Sequence, residues 1–308
     1  MVKNGVIIFA YHNIGVMALQ TLFNEGVNIV LVITHKDNAN ENIWFDSVAD
    51  FCEKKNLNYI FSEDYTNHEI EGLIAKFSIA VIFSFYYRKI LPNSILNKAQ
   101  YGAVNMHGSY LPRYRGRVPV NWQIINGENE GGVTLHYMID RPDAGDIISQ
   151  KNIPISQNDT PVTLLSKIQY EGKKILKNSI HSILDGTCER IKQNDNNASY
   201  FGGRTPDDGK IDWHKKSQEI YNLIRGVTYP YPGSFSYLNN KKIIIWKGQI
   251  FNKLTNQEKL PGTIVTYKNK TLISTLDHYI LLEEIFFEGI NYKSAVLINN
   301  LGLTGQFT

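Results

Sequence analysis

The densest run of chemically useful side chains lies between Asn105 and Asp146. It holds Asn105-Met106-His107-Gly108-Ser109-Tyr110-Leu111-Pro112-Arg113-Tyr114-Arg115-Gly116-Arg117, then Thr134-Leu135-His136, then Asp143-Ala144-Gly145-Asp146. Asn105 and His107 stand two apart at the end of a predicted strand, so both side chains emerge on one side of the pleat. Asp143 lies on a loop able to fold back on His107. Such a trio suits acyl transfer from a neutral donor to an amine, without a covalent intermediate. The imidazole accepts a proton from the attacking amine or donates one to the developing oxyanion. The Asn amide is a fixed donor for that oxyanion, and the carboxylate sets the imidazole tautomer and stabilises its charged form. Spacing alone leaves a second reading open, in which all three are structural or solvated.

The flanking sequence predicts what positions them. Val6–Ala10 reads as a buried strand and Ile14–Phe23 as a helix, with Ile14, Met17, Ala18 and Leu22 at helical spacing. Strands follow at Val27–Ile33, Tyr59–Phe61, Ile79–Phe85 and Ala103–Met106, with helices near Phe45–Lys55 and Glu69–Phe77. Continuous apolar strands alternating with helices predict an α/β fold, a Rossmann-like, doubly wound, mostly parallel sheet. Ligands collect at the carboxyl ends of such strands, where Asn105 and His107 lie. Val133–Ile139 and Ile147–Ile153 read as further strands, before a long helix from Pro161 to Leu184 with Asp159-Thr160 as its cap and Gly186 beyond its end. A polar stretch at Arg204–Gly209 marks a change of pattern. After a helix at Ser217–Arg225, short strands at Phe235–Leu238, Lys242–Trp246, Gly262–Val265, Thr271–Ser274 and Tyr279–Phe286 predict a smaller C-terminal β-barrel, OB-like. The expected domains are 1–203 and 204–308. Asn239–Lys242 and Lys268–Lys270 read as hairpin turns.

Composition narrows the class. Of 308 residues, 43% are hydrophobic and 20% charged, which suits a globular chain with a sizeable core. Lys+Arg 32 against Asp+Glu 29 gives a net charge of +3, so no nucleic-acid partner is expected. Cys52 and Cys188 form no disulfide framework and read as reduced thiols of a cytoplasmic protein. The run after Met1–Gly5 is too short for a signal sequence, and no segment has the apolar length of a membrane span, so no membrane insertion is expected. The loop Tyr11-His12-Asn13-Ile14-Gly15 has neither GxGxxG nor GxxxxGK[ST], which argues against a dinucleotide or ATP there. HExxH, zinc-finger spacing and GxSxG are also missing, so the sequence offers neither a metal ligand set nor a serine nucleophile.

Asn105-Met106-His107-Gly108-Ser109-Tyr110-Leu111-Pro112-Arg113-Tyr114-Arg115-Gly116 resembles the N-x-H-x-S-x-L-P-x-[YF]-[RK]-G signature of formyltransferases that use 10-formyltetrahydrofolate. Gly132–Met138 with Asp143–Ile148 resembles the companion G-V-T-x-H-x-M … D-x-G-x-I-[IV] block. Arg204–Trp213 looks like the family's interdomain segment, and Tyr231-Pro232-Gly233 and Pro261–Ile264 fit its C-terminal domain. A finer likeness runs through Phe9–Gly15, Thr34–Asn38 and Phe83–Arg88. It is to the formyltransferase half of bifunctional enzymes acting on UDP-4-amino-4-deoxy-L-arabinose.

The resemblance implies an N-formyltransferase with Asn105, His107 and Asp143 as catalytic residues and 10-formyltetrahydrofolate as co-substrate, with no metal. It implies folate contacts from Lys89, Ile90, Leu91, Arg117, Ile139, Asp140, Arg141 and Pro142. The expected nucleotide-sugar contacts are His12, Ser109, Tyr110, Arg113, Arg115 and Arg204, three arginines in five positions suiting an anionic partner. His136, on a strand among core residues, reads as structural; His35, His68, His181, His214 and His278 read as surface or packing residues. The favoured acceptor is UDP-4-amino-4-deoxy-L-arabinose. The alternatives are another amino sugar such as dTDP-4-amino-4,6-dideoxyglucose, and methionyl-tRNA, which would want a basic groove. A non-catalytic binding module and a formate-releasing hydrolase are the rivals outside transfer. The resemblance also implies a product used in lipopolysaccharide assembly, in lipid A modification or O-antigen. The edges of the C-terminal strands suggest a homodimer.

Overall fold

The computed structural model describes residues 5–39, 41–254, 259–293 and 305–308. Met1–Asn4, on which the leader reading partly rests, lie outside it. The chain divides into two compact units. The first comprises Met1–Pro119, Glu130–Pro154 and Leu165–Phe201, the second Val120–Asn129, Ile155–Leu164 and Gly202–Thr308.

The first unit begins with β1 (Gly5–Ala10), α1 (His12–Asn24), β2 (Ile29–Thr34), α2 (Val48–Lys55), β3 (Tyr59–Phe61), α3 (Asn67–Ile74) and β4 (Ile79–Phe85). There follow α4 (Asn93–Leu96), β5 (Ala103–His107), β6 (Arg115–Gly116), α5 (Pro119–Ile125), β7 (Glu130–Tyr137), β8 (Ile147–Pro154), α6 (Pro161–Asp185) and β9 (Tyr200–Phe201), of which α5 from Val120 on and α6 up to Leu164 belong to the second unit. Seven strands form one sheet in the order β3-β2-β1-β4-β5-β7-β8. The ladders from β3 to β5 are parallel, and β5–β7 and β7–β8 are antiparallel. Every residue of β1 and β4 is buried, as central parallel strands covered on both faces must be. Ile7, Phe9, Ile33 and Ile82 pack together in one core. Local signals fix the helix ends: Ser47 Oγ accepts from Asp50 N at 3.2 Å to cap α2, and Thr66 and Glu69 form a capping box for α3.

The structure corrects the strand expected at Val133–Ile139, which runs from Glu130 to Tyr137 and leaves Ile139 in the following loop. It also adds elements to which the sequence reading assigned no helix or strand. Among these are α5 and the two-stranded ladder in which Arg115 pairs Tyr200 and Gly116 pairs Phe201. A Cβ on Gly116, whose φ is +97°, would collide with the Phe201 carbonyl oxygen.

In the second unit come α7 (Ser217–Val227), β10 (Ser234–Leu238), β11 (Lys241–Phe251), β12 (Ile264–Tyr267), β13 (Lys270–Ser274), β14 (Tyr279–Phe287) and β15 (Ile290–Lys293). The antiparallel sheet runs β10-β11-β14-β13-β12, with β15 also on β14. Asn239-Asn240 and Lys268-Asn269 all have positive φ, as two-residue hairpin loops with the primed twist require. Residues 306–308 link the two ends of the sheet. Phe307 N donates to Gly262 O at 2.9 Å, and Tyr237 and Thr308 exchange backbone bonds of 3.1 and 2.9 Å. The result is a barrel-like ring around Trp213, Ile220, Leu238, Ile245, Leu282 and Phe307. Residues 120–129 and 155–164 join this unit through α7: Asn121 Nδ2 donates to Gly226 O at 2.9 Å and Arg225 Nη1 to Asp159 O at 3.0 Å.

Candidate active site

Asn105 and His107 leave the carboxyl end of β5 on one face, while Met106 between them packs towards Gly172 of α6. The antiparallel register sets Asn105 opposite His136 and His107 opposite Thr134. Thr134 is fully buried and its hydroxyl is bonded three times, donating to Ser109 O at 2.7 Å and accepting from Leu111 N at 3.2 Å and from Gln150 Nε2 at 3.4 Å. It thereby anchors the chain just after His107.

Asp143 arrives from the β7–β8 loop in the left-handed conformation, φ +54°. Its Oδ2 accepts from Gly116 N at 2.8 Å. Its Oδ1 faces three side chains: Asn105 Nδ2 at 3.4 Å, His107 Nδ1 at 3.4 Å and His136 Nε2 at 3.5 Å. Burial alone would push the Asp143 carboxyl up. The His107 ring and the Gly116 N–H outweigh that and hold it well below the usual carboxylate range.

Hydrogen bonding assigns the protons. His107 Nε2 is 2.7 Å from Tyr114 O, a group that can only accept, so Nε2 carries a proton. Nδ1 faces the Asp143 carboxylate, and an imidazolium satisfies both contacts where a neutral ring satisfies one. His136 Nδ1 donates to Tyr137 O at 2.9 Å, so its Nε2 accepts from Asn105 Nδ2 at 3.1 Å. Asn105 is therefore oriented with its amino group towards Asp143. His136, which periodicity reads as a core residue, is part of this cluster. The signal for it lay in strand pairing rather than in its own neighbours in sequence.

The remaining expected site residues are dispersed. Ser109 is fully buried and its hydroxyl donates to Arg113 O at 2.7 Å. Tyr110 is 41% exposed, and Arg113 lies over the Tyr114 ring. Arg115, expected to meet an anion, is 1% exposed and its guanidinium is taken up by Gln193, Tyr200 and Asp195. Arg117 is exposed. Lys89 Nζ donates to Ser62 O at 3.2 Å, Ile90 is 79% exposed, and Leu91 is buried in the core beside Ile82. Ile139, Asp140, Arg141 and Pro142 form an exposed stretch leading into Asp143. The three loop arginines do not share one anion site.

His12 opens α1 with φ +66° among Trp44, Phe45 and Tyr86, its ring centroid 4.3 Å from that of Phe45. Its buried Nδ1 has no hydrogen-bond partner among the described residues. Burial, helped by the nearby Arg88 charge, lowers its pKa to about 4. Arg204 belongs to the second unit, where it lines a cleft of about 580 Å³ with Trp122, Lys210 and Lys215. Its guanidinium lies 4.6 Å from the Trp122 ring centroid, and Nη2 donates to Asp208 O at 2.6 Å. Among the described residues no group of three or more His, Cys, Asp or Glu could hold a metal ion, and no helix is long and apolar enough to cross a membrane.

Comparison with known proteins supplies the frame for this geometry. An N-formyltransferase from Helicobacter canadensis, solved with folinic acid and dTDP-3-aminofucose, is 27% identical. The match covers 92% of this chain and 99% of that one, with a TM-score of 0.71. WlaRD, a sugar 3N-formyl transferase solved in the presence of dTDP and 5-N-formyl-THF, is 26% identical over 92% and 97% of the two chains, with a TM-score of 0.69. HypX from Aquifex aeolicus shares the fold at 14% identity, covering 95% of this chain and 46% of that one, with a TM-score of 0.62. The formyl transferase family model matches residues 6–180, and the model of the formyl transferase C-terminal domain matches residues 204–299. With both models matched in order, and Asn105, His107 and Asp143 meeting at one strand end, this chain belongs to the formyl transferase family of enzymes.

Proposed function

We propose that the protein moves the formyl group of 10-formyltetrahydrofolate to the amino group of a nucleotide-linked amino sugar. The observation that carries this reading is the convergence of Asn105, His107 and His136 on one oxygen of Asp143. The motif likeness through Phe9–Gly15 and Phe83–Arg88 favours UDP-4-amino-4-deoxy-L-arabinose. The two dTDP-sugar relatives favour a dTDP-linked amino sugar as the second reading. With the reading go, from the sequence, a cytoplasmic homodimer and a domain division at 203/204.

The residues present fit the folate. The exposed backbone of Ile139–Pro142 can pair with a flat heterocycle, Ile90 offers it apolar surface, and Arg117 offers a cation to its carboxylates. The folate supplies an electrophilic formyl carbon. Asn105 Nδ2 exchanges its long contact with Asp143 for the formyl oxygen as negative charge builds there. The Nε2–H of His107 is committed to Tyr114 O, so the proton that moves is the one on Nδ1, beside Asp143. Asp143 keeps that ring oriented and balances its charge. His107 would release its Nδ1 proton to the folate nitrogen as the bond from that nitrogen to the formyl carbon breaks, and would take up the proton the sugar amine sheds on bonding to that carbon.

The test is turnover of 10-formyltetrahydrofolate against UDP-4-amino-4-deoxy-L-arabinose, dTDP-4-amino-4,6-dideoxyglucose, a dTDP-3-amino sugar and methionyl-tRNA, read by product mass. One formyl group gained by a sugar nucleotide is the expected result, and formylation of the tRNA alone overturns the reading. Asn105→Ala is expected to lower turnover on the order of 100-fold or more; near-normal activity would remove Asn105 from the mechanism.

A further inference from the structure

Residues 181–203 fall between the two family matches, yet they hold the loop that carries Asp143. We propose that Gln193 is a positioning residue for formyl transfer, aiming the Asp143 carboxylate through that residue's own backbone; the proposal rests on the function proposed above.

All four hydrogen-bonding capacities of the Gln193 amide are used. Oε1 accepts from Arg115 Nε at 3.0 Å and from Arg115 Nη2 at 2.7 Å. Nε2 donates to Asp143 O at 2.8 Å and to Gly145 O at 2.7 Å. Arginine can only donate and carbonyls can only accept, so the side chain between them needs an acceptor at one face and a paired donor at the other. Glutamine meets that requirement at this reach. Glutamate would satisfy only the arginine, and lysine only the carbonyls.

Asp143 O belongs to the 143–144 peptide and Gly145 O to the 145–146 peptide, so pinning them fixes the peptide planes before Ala144 and after Gly145. Asp143 needs such restraint, because a φ of +54° is a conformation that a residue with a Cβ keeps only when its surroundings impose it. Gly145 is closely confined as well, since a Cβ there would collide with Tyr137 O. The same segment restrains the loop from its other side. Asp195 Oδ2 accepts from Arg141 Nη2 at 2.7 Å, while Asp195 Oδ1 accepts from the buried Arg115 at 2.8 Å. Pairing of Arg115-Gly116 with Tyr200-Phe201 sets the Gly116 N–H that Asp143 Oδ2 accepts. Residues 193–201 thus fix both partners of the Gly116–Asp143 bond, and with it the direction in which Oδ1 meets Asn105 and His107.

The test compares Gln193→Glu and Gln193→Ala with the wild-type protein. Gln193→Glu keeps the Arg115 contact and turns an oxygen towards the two carbonyls, so it decides the matter should Gln193→Ala not fold. In folded Gln193→Glu, kcat is expected to fall about 10- to 100-fold through misplacement of the carboxylate. KM for folate and acceptor should stay within about twofold, because the bound groups themselves are untouched. Amide hydrogen exchange of Gly116 and of residues 139–146 should quicken about tenfold, with β1 and β4 unchanged. Unaltered kcat and unaltered exchange in both variants overturn the proposal, as does a loss of activity that appears wholly in KM. Exchange needs no substrate. If the wild-type protein formylates none of the acceptors, the functional reading fails, and exchange alone decides whether Gln193 holds the loop.

Discussion

Two polar clusters meet on the Asp143 loop and are bonded in opposite ways. Around Arg115 the contacts run from 2.7 to 3.0 Å, and the guanidinium is almost wholly buried. Around Asp143 Oδ1 three side chains crowd one oxygen at 3.4–3.5 Å, the long limit of useful geometry. The first cluster is saturated and can offer an incoming ligand nothing without losing part of the fold. The second is electrostatically favourable but geometrically slack, so its donors can change partner at small cost. The comparison separates a polar group that builds the structure from one kept ready for chemistry, although both are charged and both are sheltered from solvent.

The comparison breaks first at Asp143. Asp143→Asn keeps the shape and removes the charge, and turnover should fall on the order of 1000-fold while the thermal midpoint barely moves. A large drop in the midpoint would class Asp143 with the structural cluster. Arg115→Ala should do the reverse at the level of folding. Losing a buried, fully bonded guanidinium is expected to cost about 3 kcal/mol in urea unfolding. Full stability in that variant would mean the Arg115 contacts are ornamental and the distinction drawn here false.

The smallest effect is expected from a third kind of group. His12 is sheltered, its Nδ1 without a hydrogen bond among the described residues, and its pKa falls from 6.5 to about 4. Between those values the unfolded chain binds a proton that the folded protein refuses, so stability should decline as pH drops through 6.5 and level off near 4. Urea unfolding at about pH 7 and about pH 5 should reveal that slope, and His12→Phe should flatten it. An equal slope in the variant would trace the pH dependence to other groups.

Much of this was legible in the sequence because it is local. The unbroken apolar runs of β1 and β4 announced a covered parallel sheet, and Asn105-Met106-His107 announced two polar side chains on one strand face. The hairpins at Asn239-Asn240 and Lys268-Asn269 follow from residues that tolerate positive φ. What stayed hidden depends on distant pairing. His136 joins the cluster because β5 and β7 run antiparallel in a register that puts it opposite Asn105. Arg115 turns inward because Gln193 and Asp195, some 80 residues later, provide its acceptors. Counted as charge on a polar loop, Arg115 resembled its neighbours Arg113 and Arg117, and burial alone distinguishes them. The ladder of β6 and β9 is two residues long on each side, too short to leave a periodicity.

The closure of the second unit by residues 306–308 bears on how the protein is made. Phe307 is 2% exposed and bonds to Gly262, and Thr308 bonds to Tyr237, so the ring stays open until these residues are in place. On the ribosome the first unit can therefore collapse long before the second one can. During that interval β10 and β12 present unpaired edges to whatever other nascent chains lie nearby. The exposure ends when residues 307–308 bond to Gly262 and Tyr237.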